Sequence, residues 1–134
     1  MNKRIFLFLI GLLLLAGSLY SQRLYFCEEY RDGKEIGVSD VFIIGSGGGY
    51  FTCMIDLRDD RTTIATRKVT LKIYRVYGSD EEYITSEKFD VEPDWDYVFF
   101  DKFHTFYSAG KYKVVATNSY GDYIASGKVT IKMR

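Results

Sequence analysis

A chain of 134 residues is long enough for one ordinary domain with its own core, so it needs neither a structural metal nor many disulfides to fold. Its 18 basic and 18 acidic residues cancel, and neither sign gathers into a run, which argues against a nucleic-acid-binding stripe and against a charged interaction tail. Aromatic residues make up 17% of the chain and there is one proline, a composition suited to pleated, half-buried surfaces.

The chain begins with the basic Lys3-Arg4, then an apolar run from Ile5 to Ala16 broken only by Gly11, then the small residues Ala16-Gly17-Ser18 and Ser21. That order is the build of a secretory signal peptide. The run is short for a membrane-spanning helix, which needs about 20 residues. No cysteine follows Leu15-Ala16-Gly17 to accept a lipid. Cleavage is expected to leave an amino terminus between Leu19 and Gln22, so residues 1–21 are assigned to the signal and 22–134 to a single domain. Losing Lys3 and Arg4 leaves 16 basic residues against 18 acidic ones.

After the signal, short alternating runs separated by turn residues recur to the end of the chain, the mark of an antiparallel sandwich or barrel. Leu24 to Tyr30 is the first expected strand, closed by the turn Arg31-Asp32-Gly33-Lys34. Val41 to Ile44 is a short apolar strand, and Gly45-Ser46-Gly47-Gly48-Gly49 reads as a flexible loop. Tyr50 to Leu57 follows, with Phe51, Cys53, Ile55 and Leu57 on one face. Arg67 to Tyr77 alternates Val69, Leu71 and Ile73 against Thr70 and Lys72. Gly78-Ser79-Asp80 turns the chain into Tyr83 to Val91, which Pro93 ends. Tyr97 to Phe103 is dense in aromatics, although Trp95 to Phe106 as a whole fits neither period cleanly. Lys111 to Asn118 and Tyr123 to Met133 form a closing hairpin through Ser119-Tyr120-Gly121-Asp122. The expected fold is an all-β antiparallel sandwich of about seven to eight strands.

Ser108-Ala109-Gly110-Lys111-Tyr112-Lys113-Val114 resembles the corner of immunoglobulin-like domains, with Val114 standing where a cysteine would be. The segment Tyr123 to Ile131 resembles the last strand of secreted bacterial immunoglobulin-like and fibronectin-III-like modules. The resemblance implies an immunoglobulin-like sandwich in which Tyr112 is the corner tyrosine, its hydroxyl bonded to nearby backbone. The core tryptophan and inter-sheet cysteine pair of antibody domains are not in place.

Few residues offer chemistry. Cys27 and Cys53 are the two cysteines. In an exported protein they are expected to pair, tying the first strand to the Tyr50–Leu57 strand and stabilising by roughly 3 kcal/mol through loop closure. Neither a CxxC motif nor a neighbouring base marks a reactive thiol. His104 is the one histidine; without a Gly-x-Ser-x-Gly elbow it reads as a strand-edge side chain and not as a catalytic base. Ser46, between two strands, lacks the following helix that a nucleophile turn or a phosphate cradle requires. The clusters Asp56-Asp59-Asp60 and Glu92-Asp94-Asp96 lack the spacing of a calcium loop and read as solvated turns. No catalytic, cofactor or metal residue is assigned.

The remaining signal is aromatic. Tyr74, Tyr83, Trp95, Tyr107, Tyr120 and Tyr123 are expected to face outward, where rings with a polar tip serve protein partners or sugars. The expectation is a secreted, non-catalytic module of the periplasm, cell surface or medium that binds another envelope or extracellular protein, through an aromatic face or a strand edge. A carbohydrate-binding module is the nearer alternative, and a small hydrolase or protease inhibitor the more distant one. No nucleic acid and no membrane span after cleavage are expected.

Overall fold

A computed structural model describes residues 23–134; the expected signal segment, 1–21, lies outside them. Ten strands and one 3-10 turn build the domain: β1 Leu24–Cys27, β2 Glu29–Arg31, β3 Lys34–Ile36, β4 Val41–Ile44, β5 Thr52–Asp56, the turn Arg58–Asp60, β6 Lys68–Tyr77, β7 Asp80–Asp90, β8 Tyr97–Phe100, β9 Gly110–Asn118 and β10 Tyr123–Met133. They form a three-stranded sheet of order β1-β5-β8, a five-stranded sheet of order β4-β10-β9-β6-β7, and the hairpin β2-β3. Every pairing is antiparallel except β4 with β10. The all-β sandwich expected from the sequence is present, with ten strands in place of seven to eight.

The extra strands have a local cause. The stretch Leu24–Tyr30 divides at Glu28, whose N–H donates to the Ile36 carbonyl at 2.9 Å. The chain there leaves β5 and takes β3 as its partner. Asp32 and Gly33 both hold positive φ, 54° and 76°, as a two-residue type I′ hairpin requires. The Asp-Gly turn therefore closes a hairpin whose arms are only three residues each.

Alternation sets the core. Val69, Leu71 and Ile73 of β6, Val114 and Ala116 of β9, and Val129 and Ile131 of β10 are buried on one sheet. Leu24, Phe26, Cys53, Ile55, Val98 and Phe100 meet them from the other. The two layers approach closely at Gly127, where an added Cβ would lie 2.5 Å from the Leu24 carbonyl oxygen. Phe51 stacks between Phe42 and Phe106, with ring centroids 4.3 and 5.1 Å away. Each ring buried so completely stabilises by about 2–3 kcal/mol.

Strand β5 is buried on both faces: Thr52 and Met54 are as inaccessible as Cys53 and Ile55. The β2-β3 hairpin covers the outer side of this sheet. Tyr25 from β1 and Tyr97 from β8 both donate their hydroxyls to Glu35 Oε2 of β3, and Tyr30 of β2 stacks on Phe99 at 4.4 Å.

The Gly45–Gly49 loop, expected to be flexible, is anchored. Gly49 and Phe106 exchange backbone hydrogen bonds of 2.9 and 2.8 Å, and Gly48 N–H donates to the Gly45 carbonyl at 3.0 Å. The low side-chain content of the loop is what admits its neighbours: a Cβ at Gly49 would strike Ile44, and one at Gly48 the Tyr107 ring.

Candidate functional site

The sandwich is open on one side, where β8 ends the small sheet and β7 ends the large one. Between these edges runs a groove of about 440 Å³. Phe89 of β7 and Phe100 of β8 meet across it at 4.9 Å and form its floor with Val91 and Val98. Trp95 and Phe99 stand on its rim, 44% and 46% exposed. Asp90 and Asp101 also line it, but the Asp90 carboxylate is turned to Lys68 on the outer face of the large sheet, at 2.6 Å, and that of Asp101 accepts from Thr52 Oγ1 at 3.3 Å.

The register shows which backbone groups of β8 are free. Asp56 gives its N–H to Arg23, on the β1 side. Its partner across the ladder, Tyr97, therefore turns its own N–H and C=O away from β5. The same parity applies to Phe99, while Val98 and Phe100 bond inward to Ile55 and Cys53. An edge of this kind can accept another strand. Farther along the opening the chain covers β7 itself: His104 Nδ1 lies 3.4 Å from Glu87 Oε1 of β7.

Trp95 is held for its position by backbone bonds on both sides. Its N–H donates to Glu92 and its carbonyl accepts from Ile64, at 3.2 and 2.9 Å. The other outward aromatics do not join it. Tyr74 and Tyr83 are cross-strand neighbours, edge to face at 5.7 Å, on the outer face of the large sheet. Tyr107 stands over Gly48. Tyr120 and Tyr123 lie at the β9-β10 turn, with the Tyr123 hydroxyl 2.9 Å from Ser126 Oγ. The six residues singled out in the sequence thus form no common patch. The rim partner of Trp95 is Phe99. Its outward direction follows from alternation with Val98 and Phe100 inside the four-residue strand Tyr97–Phe100.

The expected Cys27–Cys53 bond is not formed; both are buried free thiols. Their strands are neighbours, as anticipated, but the register pairs Cys53 with Phe26 and Cys27 with Thr52. A one-residue offset places the two side chains on opposite faces of the sheet. Cys53 points into the core, and Cys27 Sγ lies 3.4 Å from the Glu29 carbonyl. Burial raises both thiols above their ordinary range, Cys53 the more strongly.

Tyr112 sits near the start of β9, buried, and donates its hydroxyl to the Ser108 carbonyl at 2.9 Å. Arg75 Nη1 donates to the same hydroxyl at 3.1 Å. His104 lies beside Glu87 and packs edge to face with Phe106, 4.7 Å between centroids. Asp56 is held below the usual carboxylate range by a two-point pairing with Arg58, and the guanidinium lies 3.9 Å over the Tyr97 ring. This pairing gives Asp56 a structural role in its turn. Among the described residues no cluster of His, Cys, Asp and Glu is arranged to hold a metal ion, and no helix is long and apolar enough to cross a membrane. No protein-family model matches the chain, and no curated protein matches it.

Proposed function

We propose that this chain is an exported, non-catalytic binding module of the cell envelope or surface, and that it holds an extended segment of a partner protein against the free edge of β8. The observation that carries the reading is the groove: an apolar floor, two exposed aromatic rims and an unpaired backbone edge lie side by side. Main-chain bonds would supply affinity and the groove would select side chains. Export rests on the basic-apolar-small order of residues 1–21.

The same proposal includes an immunoglobulin-like fold. Support comes from strand order. The sheet β1-β5-β8 follows the A-B-E order of such domains, and β10-β9-β6-β7 follows G-F-C-C′. Tyr112 then falls on the strand where the corner tyrosine belongs, and it bonds to backbone four residues upstream. A D strand would lie beside β8, where the groove is open.

A photoreactive amino acid at position 99 or 95, introduced in living cells, is expected to join a polypeptide; the same probe at position 120 is not. Phe99→Pro removes an N–H that faces the opening while sparing the ladder to β5, so it should abolish the adduct formed from position 95 in a protein of otherwise native spectrum. An adduct unaffected by Phe99→Pro, or none at all, overturns strand addition. A second reading, carbohydrate binding, is favoured by the exposed rings of Trp95 and Phe99 on the groove rim. Retention on a glycan array that is lost in Trp95→Ala would establish it in place of the first.

A further inference from the structure

The outer face of the five-stranded sheet is strongly basic, although the sequence carries no basic run. Alternation against the buried Val69, Leu71, Tyr112, Val114, Val129 and Ile131 points Lys68 and Lys72 of β6, Lys111 and Lys113 of β9, and Lys128 and Lys132 of β10 the same way. Lys88 of β7, paired with Thr70, joins them. Seven of the nine lysines in residues 23–134 therefore share one face. The strand carboxylates there are Asp90 and Glu81, already engaged by Lys68 and Lys113. The other five lysines have no ion pair among the described residues.

This arrangement costs stability. Lys113 and Lys128 stand directly opposite each other across the β9-β10 ladder, and like charges so placed repel. The face also carries exposed apolar groups. Val41 and Ile43 of β4, 40% and 60% exposed, pair with Thr130 and Lys132 and so point outward with them.

We infer that this face docks on the surface of a bilayer containing anionic phospholipid. The cations are spread over four adjacent strands, a two-dimensional array that faces a plane of phosphates better than a single extended polymer. Along a strand they recur about every 6.6 Å, two residues of rise. The lysine stems reach past the sheet with their charges at the headgroups. Val41 and Ile43 supply the apolar contact that a soluble polyanion would not reward. Clusters of four to eight basic side chains are of the size that anionic membranes attract.

The test is co-sedimentation of the processed chain, residues 22–134, with vesicles. Partition into phosphatidylcholine mixed with phosphatidylglycerol is expected, with little into phosphatidylcholine alone. Raising salt from about 0.1 M to about 1 M, where the screening length falls to about 3 Å, should release the protein. Lys72→Gln, Lys128→Gln and Lys132→Gln together should lower the partition about 100-fold. Arg31→Gln, Lys34→Gln and Arg61→Gln, off the face, should leave it unchanged, with the fold of both variants checked by their urea midpoints. Equal partition into both vesicle types overturns the inference, as does binding indifferent to salt or to the first variant. Binding to soluble polyphosphate without binding to anionic vesicles overturns it as well.

Discussion

Tyr112 joins two carbonyl and guanidinium partners that would otherwise lose a bond, Ser108 and Arg75. Tyr112→Phe is expected to cost about 0.5–1.5 kcal/mol, measured by urea denaturation. Gly110 belongs to the same corner: an added Cβ there would overlap the Arg75 guanidinium, and its φ of +147° disfavours any side chain. The thiols make a second prediction. Two groups per chain should react with a thiol reagent in denaturant without reductant, and Cys53 should be inert in the native protein because burial keeps it protonated and out of reach. One residue of register separates this outcome from a disulfide. The cysteine positions suggested adjacent strands, but only the ladder reveals that the side chains point apart. A third prediction concerns alkali. Burial, reinforced by Glu35, raises the phenols of Tyr25 and Tyr97 above their ordinary value of 10.0. The unfolded chain then loses these protons first. Stability should be retained below about pH 10 and fall as pH rises beyond it, and Tyr25→Phe should flatten that decline in urea titrations.

At the scale of elements, the long strands were legible and the short ones were not. β6, β9 and β10 alternate cleanly because one face is core and the other solvent. β2 and β3 are too short to show a period, and only the Asp32-Gly33 turn announced them. β5 is covered on both sides, so its outward Thr52 and Met54 are buried without an apolar pattern to say so. The groove beside β8 was half visible: Trp95 stood out by type, whereas Phe99 emerges only when the four residues of β8 are given their directions. The lysine face is hidden in the linear sequence for a related reason. Its charges are separated by buried residues along each strand and meet only across strands. The contact between layers gives a prediction of its own. Gly127→Ala forces β10 away from the Leu24 backbone and should destabilise by about 1–3 kcal/mol, as overpacking does, read from the thermal or urea midpoint.

At the scale of the whole molecule the charge is divided by layer. The outer face of the large sheet holds seven lysines and two strand carboxylates; the rest of residues 23–134 carries nine basic and sixteen acidic groups. The domain is therefore a dipole hidden inside a neutral composition. On the proposed reading it would rest one layer on lipid and offer the opening beside β8 to a partner. His104→Ala should leave such binding unchanged, measured by the adduct formed from position 99, since the imidazole touches Glu87 and Phe106 away from the groove lining. The single parallel pair has a mechanical consequence. Suppose tension acts through Arg23 and Arg134. Once β1 has peeled away, the load reaches β4 at Val41 and β10 at Met133, which lie at opposite ends of the pair Val41–Ile44 and Thr130–Met133. The bonds of that ladder, with the Thr130–Asp40 and Arg134–Ile44 contacts that frame it, are then strained together in shear and do not open one at a time. Four residues of β4 act as a clasp, and a domain fastened at both ends would resist pulling far better than its modest size suggests.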